Sequence, residues 1–340
     1  MRAAIIGAGS WGTAVAWLLG GKGIELTMWA REQEIADGIN QERRNPFFLK
    51  DITLDPWVKA TTDIERAVSG AEAIVVVTPS HGVRGVAEQM AGVLRPNIPV
   101  VNLAKGVEQG TLMRMTEVLE DVLGHRERLA ALSGPNHAEE VSKGVPSATV
   151  VAAYSEDVGR MLQEMFMAPF FRVYTNPDVV GVELCGASKN VVAVAAGMSD
   201  GLGYGDNTKA TLMTRGLAEM SRLGAHLGAN PLTYMGLAGM GDLIVTCTSR
   251  HSRNRALGEW VAKGGTVESY ATETKMVAEG AKSAVSLDDL AHKLGMEMPI
   301  THQVRAILYE GHSPSEAGAV LMGRSARDEL HGMDLVEDEG

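Results

Sequence analysis

Residues 3–6 (AAII) form a short uninterrupted apolar run, followed by GAGSWG and then TAVAWLLGGKG. A run this short between turn residues reads as a strand buried on both faces. The two segments after it read as a glycine-rich turn and a helix stopped by Gly20 and Gly21. The same grammar recurs: IELTMW (24–29) predicts a second strand, and AEAIVVVTP carries the continuous run Ile74–Val77. Further strands are predicted in IPVVNLAKG (98–106), at 129–132, in SATVVAA (147–153) and in FFRVY (170–174). Helices are expected at about 63–70, 82–94 and 111–123, with one more before FFRVY. Apolar strands alternating with helices predict a parallel, doubly wound sheet. From 179 onward the pattern holds no convincing strand. VVGVELCGASKNVVAVAAGMSDGL (179–202) predicts a long helix buried nearly all round, and helical periodicity returns at 208–227, 255–263, 283–294 and 299–309. The expected class is therefore α/β, with a Rossmann-type doubly wound N-terminal domain (1–178), an all-α C-terminal domain (179–330) and an acidic tail (331–340).

The turn Gly7-x-Gly9-x-x-Gly12 stands between the first strand and the first helix, the context in which this spacing cradles a dinucleotide pyrophosphate. Gly7 permits the tight turn, Gly9 the approach of backbone to phosphate, and Gly12 close packing of helix on strand. Ser10 and Trp11 fill the variable positions, facing the cofactor or, for the indole, the core. The second strand ends Trp29-Ala30-Arg31, with a guanidinium where an NAD-specific site places a carboxylate. Arg31 suits a ribose 2′-phosphate, or it stacks on adenine or lies in solvent. Glu32 beside it keeps NAD(H) open as well as NADP(H).

Composition narrows the ligands. The 340 residues carry 31 Lys and Arg against 42 Asp and Glu, a net charge of −11, and only 5% are aromatic. Such a chain is a poor general binder of nucleic acid or anionic membrane, so an anionic ligand needs a local basic cluster. The two cysteines, Cys185 and Cys247, form neither a disulfide framework nor a metal spacing, which favours a reducing cytoplasm. No metal motif, signal peptide or apolar run of about 18 residues is evident, so neither a metal centre nor a membrane span is expected.

Two lysines and one basic cluster carry candidate chemistry. Lys105 follows a buried strand in LAKG, and Gly134 and Asn136 follow the next in SGPN. Open α/β sheets bind ligands beyond such strand ends, where Lys105 would donate to a substrate oxygen; otherwise it is a loop lysine. Lys189 lies among small apolar residues in LCGASKNVVAVAAG, a costly place for an ammonium unless it is paired or snorkels. Paired, it suits proton transfer, and its small neighbours leave room for a ligand. Asp242 in GLAGMGDLIVTC is its natural counter-charge, or else a helix N-cap. SRHSRNR (249–255) sets three arginines and a histidine among Ser and Asn, either a phosphate grip or a solvated loop. These residues alone imply a nicotinamide-dependent reduction of a small anionic carbonyl compound.

GAGSWGTA, LAKGVE, LSGPNHAEEV, GASKNV, GLAGMGDLIVTC and HSRN, in this order over about residues 1 to 330, resemble the bacterial NAD(P)-dependent glycerol-3-phosphate dehydrogenases. The resemblance implies a Rossmann domain followed by an all-α domain with the active site between them. It implies a homodimer and reversible interconversion of sn-glycerol 3-phosphate and dihydroxyacetone phosphate, feeding phospholipid synthesis. By motif, Lys189 is the general acid/base, Lys105 stabilises the forming alkoxide and Asp242 orients Lys189. Lys105, Gly134, Asn136, Lys189, Asp242, Ser252, Arg253 and Asn254 would meet the substrate. Ser10, Trp11, Arg31, Phe48, Lys105, Ala138, Arg253, Val277 and Glu279 would line NAD(P)(H), with the turn glycines. Two positions depart from the family: Asn136 replaces a frequent Ser or Thr, and Phe48 replaces a frequent Tyr, keeping the ring without the hydroxyl.

Overall fold

The computed structural model describes residues 1–274, 277–326 and 328–329. Two compact units divide the chain. The first comprises Met1–Glu108 and Met113–Glu183, and the second comprises Gln109–Leu112 and the chain from Leu184 onward.

Eight strands run through the first unit: β1 (Arg2–Ile6), β2 (Glu25–Trp29), β3 (Val58–Thr61), β4 (Ala73–Val76), β5 (Val100–Asn102), β6 (Leu129–Ser133), β7 (Ser147–Ala153) and β8 (Phe171–Asn176). They form one sheet in the order β3-β2-β1-β4-β5-β6-β7-β8. Every pairing is parallel except β6 with β7. Seven helices accompany them: α1 (Ser10–Gly20), α2 (Gln33–Glu42), α3 (Ile64–Val68), α4 (Val83–Ala91), α5 (Met115–Leu123), α6 (Ala138–Val141) and α7 (Glu156–Phe166). The first strand shows why its sequence is apolar without interruption. Ala3 and Ile5 join a core layer with Val15 and Leu19 of α1, Ile35 of α2 and Phe166 of α7. Ala4 and Ile6, on the opposite face, join a second layer with Ile64 of α3, Val83 and Met90 of α4 and Leu119 of α5. Truncating Ile5 or Ile6 to Ala would cost about 2–5 kcal/mol in lost contact and residual cavity.

The structure adds elements that the pattern did not predict. The edge strand β3 has only four residues, and α2 (QEIADGINQE) buries just Ile35, Ala36 and Ile39. Both signals are too weak to stand out from a turn-rich stretch. The first helix does end at Gly20, but Gly21 remains right-handed and the chain reverses at Gly23, with φ of +78°.

The second unit is helical among the described residues. Its helices are α8 (Val179–Gly201, beginning in the first unit), α9 (Asp206–His226), α10 (Asp242–Thr248), α11 (Arg253–Ala262), α12 (Val267–Thr274), α13 (Glu279–Leu294), α14 (Pro299–Tyr309) and α15 (Pro314–Met322). The division between units falls inside α8, after Glu183, rather than at 178, and the expected acidic tail at 331–340 lies outside the described residues. By length and composition α8 could cross a membrane, contrary to the reading that no such run exists. Protein covers 89% of its apolar window, as expected for a core helix. Several small residues at its crossings serve close helix packing. A Cβ on Gly197 would lie 1.9 Å from the Arg255 carbonyl oxygen, and one on Gly258 of α11 would lie 2.1 Å from that of Val194. Gly280 of α13 meets α8 in the same way, at 2.5 Å from the Asn190 carbonyl oxygen.

One buried carboxylate caps a helix in this unit. Glu219 of α9 accepts from the Ile300 amide at 2.6 Å and the Thr301 amide at 3.3 Å, at the start of α14. Burial pushes its pKa up to about 7, with those amides and Arg222 opposing the shift. A raised folded-state pKa makes the stability contribution complete below the ordinary carboxylate range and lost as pH rises through 7. From an ordinary 4.5 to about 7, the fold should lose of order 3 kcal/mol on this account. Denaturant melts of the parent and Glu219→Gln across that range should converge at the acid end and favour the variant at the alkaline end. A pH-independent difference would remove Glu219 as the titrating group.

Candidate active site

In the first unit, the carboxyl ends of β1, β2 and β4 meet at the glycine turn. The Gly7 amide donates to the Trp29 carbonyl at 3.1 Å, and Val77 donates to the Ile6 carbonyl at 2.9 Å. Gly7 has φ of +124°, and a Cβ there would lie 2.9 Å from the Val77 carbonyl oxygen. Gly12 packs against Gly7, whose carbonyl oxygen would be 2.1 Å from an added Cβ. Gly9 is different: a Cβ there would meet nothing within 4 Å. It is also the N-cap of α1, with no side-chain cap and no acidic residue in the first turn. An uncapped helix start facing open space suits an anionic group. Beside this turn, Thr78 is 8% exposed, and its hydroxyl has no hydrogen-bond partner. It follows β4, at the point where strand order reverses between β1 and β4. An orphaned buried hydroxyl and an open glycine cradle fit a dinucleotide.

Other predicted cofactor residues surround this turn in sequence and structure. Trp11 packs partly on the core layer beneath the turn. Arg31 is exposed and pairs with Glu32 at 2.6 Å, so neither charge stands alone. Phe48 is 38% exposed, and its amide donates to the Asn45 side chain at 3.1 Å. Asn45 is a residue that sequence reasoning missed. Fully buried, its Nδ2 donates to the Ala8 carbonyl at 2.8 Å and the Thr13 hydroxyl at 2.9 Å, while its Oδ1 also accepts from Phe47 at 3.0 Å. A single amide thus ties the Phe48 loop to the glycine turn with all its main capacity used. The only local signal is Asn before Pro, which reads as an ordinary turn.

Farther along the same sheet, Asn102 at the end of β5 folds its side chain back on Ala104, accepting from its amide at 3.1 Å and donating to its carbonyl at 2.9 Å. This turn presents Lys105, whose Nζ lies 3.2 Å from the Gly134 carbonyl and 3.5 Å from Asn136 Oδ1. The two strand-end motifs therefore come together. Asn136 in turn donates to Thr149 of β7 at 3.2 Å, and Thr149 donates to the Ser133 carbonyl at 2.9 Å. Gly134 has φ of +154°, and an added Cβ would strike Thr149 at 2.9 Å. Ala138 is buried at the start of α6.

In the second unit, Lys189 is nearly fully buried, with 6% of its side chain exposed. Its Nζ lies 2.6 Å from Asp242 Oδ1 and 2.6 Å from the Thr246 hydroxyl. Thr246 donates to the Asp242 carbonyl at 2.6 Å, leaving an oxygen lone pair toward the ammonium. Asp242 is therefore the counter-charge. It is the first residue of α10, not its N-cap, which is Gly241. Thr246, one turn on, is a second partner that sequence reasoning did not single out. The thiol of Cys247 sits close by in α10, pushed up to about 12 by burial, so it is inert as a nucleophile here.

The basic segment divides into parts with different duties. Arg255 is bound to Asp200 at 2.6 Å and Glu259 at 2.7 Å, so this cation is structural. Arg250 and Arg253 are exposed, with no ion pair among the described residues. Ser252 is the N-cap of α11, its hydroxyl accepting from Arg255 at 3.2 Å. Asn254 is buried and internally engaged: Nδ2 donates to Asn190 at 2.8 Å, and Oδ1 accepts from Gly280 at 2.9 Å. It clips α11 to the residue beside Lys189 and to the start of α13. Val277 is exposed, and Glu279 opens α13.

Comparison with known proteins matches both halves of this arrangement. Residues 2–159 match the NAD-dependent glycerol-3-phosphate dehydrogenase N-terminus, and residues 178–319 match the C-terminus of the same family. The chain belongs to the NAD-dependent glycerol-3-phosphate dehydrogenase family. A glycerol-3-phosphate dehydrogenase [NAD(P)+] of Anaeromyxobacter dehalogenans is 48% identical over 97% of this chain and 100% of that protein. One from Pelotomaculum thermopropionicum is 47% identical over 98% of this chain and 97% of that protein. The crystal structure of glycerol-3-phosphate dehydrogenase from Coxiella burnetii superposes with a TM-score of 0.91 at 36% identity, covering 95% of this chain and 99% of that one. For this dehydrogenase family member, the cofactor is NAD(P)(H), in keeping with the open turn at Gly9.

The Asn45 network gives a test. Asn45→Ala strips a buried amide from four backbone and side-chain partners, and should destabilise the fold by about 3 kcal/mol or more. A milder Asn45→Ser variant keeps one hydroxyl to donate and accept, without the buried charge that Asp would set against the Ala8 carbonyl. It should weaken NADH binding about tenfold while leaving the substrate KM at saturating cofactor near the parent value. Unchanged NADH affinity by fluorescence titration would show that the loop does not position the dinucleotide.

Proposed function

We propose that this chain reversibly reduces dihydroxyacetone phosphate to sn-glycerol 3-phosphate, and that it does so as a cytoplasmic homodimer supplying glycerophospholipid synthesis. The observation that carries the chemistry is the buried Lys189 ammonium at 2.6 Å from both Asp242 and Thr246. A group so placed has a fixed orientation and a defined route for its proton.

A bound reduced nicotinamide supplies the hydride to C2 of the ketone. Lys189 donates a proton to the oxygen at C2 and takes it back in the reverse direction. Asp242 and Thr246 keep the ammonium aimed, Asp242 by charge and Thr246 by its lone pair. Lys105, held by Gly134 and Asn136, is a second ammonium of the kind that stabilises negative charge on a substrate oxygen. Arg253 and the Ser252 hydroxyl, at the positive end of α11, grip the substrate phosphate, assisted by Asn254. Two arginines occupy the first turn of that helix, and no acid does. Arg255 is already neutralised by Asp200 and Glu259, so Arg253 is the first-turn cation available to a dianionic phosphate. Binding energy gained at the phosphate then orients the reacting carbon. The Arg31–Glu32 pair supports acceptance of both coenzymes: the guanidinium can meet a 2′-phosphate, and the carboxylate can meet a ribose diol.

The direct experiment mixes the protein with NADPH or NADH and dihydroxyacetone phosphate and follows loss of reduced-nicotinamide absorbance. Turnover should require the phosphorylated ketone. Lys189→Ala should lower kcat about 100-fold or more, the scale of losing a general acid/base; near-parent turnover would remove that role. Arg253→Ala should raise KM for dihydroxyacetone phosphate strongly and erase most of the preference over unphosphorylated dihydroxyacetone. A variant as selective for phosphate as the parent would place the phosphate grip elsewhere.

A further inference from the structure

We infer that Asp288, His292 and His302, far from Lys189 in sequence, form a binding site for a divalent late-transition cation such as Zn2+. Asp288 and His292 stand one turn apart on α13, and His302 projects from α14, so the three were not visible as a metal spacing in the sequence. His302 Nδ1 lies 3.3 Å from Asp288 Oδ1 and 3.4 Å from Oδ2, while His292 Nδ1 lies 3.6 Å from Oδ2. The three ligand atoms lie within 4.8 Å of one another. A tetrahedral zinc with bonds of about 2.0–2.1 Å separates its ligands by roughly 3.4 Å. Both carboxylate–imidazole separations are therefore already close to one edge of such a polyhedron. The donor set, two imidazoles and one carboxylate, is the chemistry that zinc, nickel and copper prefer over calcium or magnesium.

The surroundings decide how tight the site can be. Asp288 is 4% exposed, so its carboxylate is held, whereas the rings of His292 and His302 are 67% and 48% exposed and can turn. The exposure also leaves the fourth position to water. His292 Nδ1 lies 2.8 Å from the Asp288 carbonyl oxygen, a contact given up if Nδ1 ligates and kept, as an orienting bond, if Nε2 does. Arg305 is the competing cation: it lies 3.0 Å from Asp288 Oδ2, and Asp289 at 2.5 Å and Glu310 at 3.5 Å share its charge. It engages Oδ2 and leaves Oδ1 toward His302. The ion would staple α13 to α14 and has no part in the reduction. Cys185 and Cys247, the other soft ligands, are buried and not available.

The test uses the full chain without an affinity tag, titrated with zinc chloride by calorimetry in a non-chelating buffer, and with Co2+ by visible absorbance. The expected result is one equivalent bound in the micromolar range, intense tetrahedral cobalt bands, and a raised melting temperature with zinc. His292→Ala and His302→Ala should each weaken binding about tenfold or more, consistent with the sensitivity of metal sites to loss of a ligating or supporting group. The double variant should melt as the parent does without metal and show no zinc-dependent rise. Absence of saturable binding below millimolar zinc, or equal affinity in the double variant, overturns the site.

Discussion

An ammonium inside an apolar helix is tolerable only where a carboxylate and a further oxygen meet it, and this constraint organises the second unit. α8 is buried along nearly its whole length, and Lys189 with it. Leaving that charge unpaired would cost several kcal/mol at least. The segment GLAGMGDLIVTC exists in the form needed to prevent this. A π-helical turn at Leu237–Gly241 leads directly into α10, so that Asp242 and Thr246 stand one turn apart on the side facing Lys189. The turn needs its glycines: a Cβ on Gly239 would lie 2.2 Å from the Tyr234 carbonyl oxygen. The energetics of a buried pair make it a poor source of net stability. What the pair creates is an ammonium held in one orientation by Asp242 and Thr246.

The first unit solves a different problem, holding loops at the carboxyl ends of strands where no regular hydrogen bonding is available. Small polar side chains do this work. Asn45 ties one loop to the glycine turn, Asn102 shapes the turn bearing Lys105, and Thr149 fixes Asn136 from a neighbouring strand. The antiparallel strand β7 matters here. Its register sets Val150 opposite Ser133, bringing Thr149 beside the SGPN turn. A frequent Ser or Thr at position 136 would be shorter. The Asn amide spans the gap between Thr149 and Lys105 with one group at each.

What was legible in the sequence was local or strictly periodic. The turn at Gly7, Gly9 and Gly12 declares itself because strand, turn and helix are contiguous, and the buried strands because runs such as Ile74–Val76 are apolar on both faces. Lys189 and Asp242 could be paired because each is anomalous in its own surroundings. Asn45 and Thr246 were not legible, because an asparagine near a proline and a threonine in a helix are common. Their meaning lies in partners 37 residues away for Asn45 and Ala8, and 57 away for Thr246 and Lys189. The close helix crossings at Gly197, Gly258 and Gly280 were not legible for a related reason: composition does not say which small residue meets another helix. The unit boundary was hidden because α8 is continuous through it.

Two helix starts without an acid in the first turn stand out in a protein of net charge −11. A strongly acidic chain cannot attract its ligands by overall field, so each anion needs a prepared local site. At Gly9 the preparation is a helix start with no side-chain cap and no acid in its first turn. At α11 it is a helix start bearing Arg253 in the open while Arg255 is neutralised by Asp200 and Glu259. That division is informative. A cluster of equally free arginines would repel itself and bind anions indiscriminately. Tying one guanidinium into the fold makes it a rigid support, and leaves its neighbour exposed. The two helix starts share one device, the positive pole of a helix, but α1 adds glycine with no side-chain cap and α11 adds a guanidinium. A pyrophosphate diester offers its oxygens to backbone at close range, whereas a terminal phosphate carries more charge and warrants a full cation.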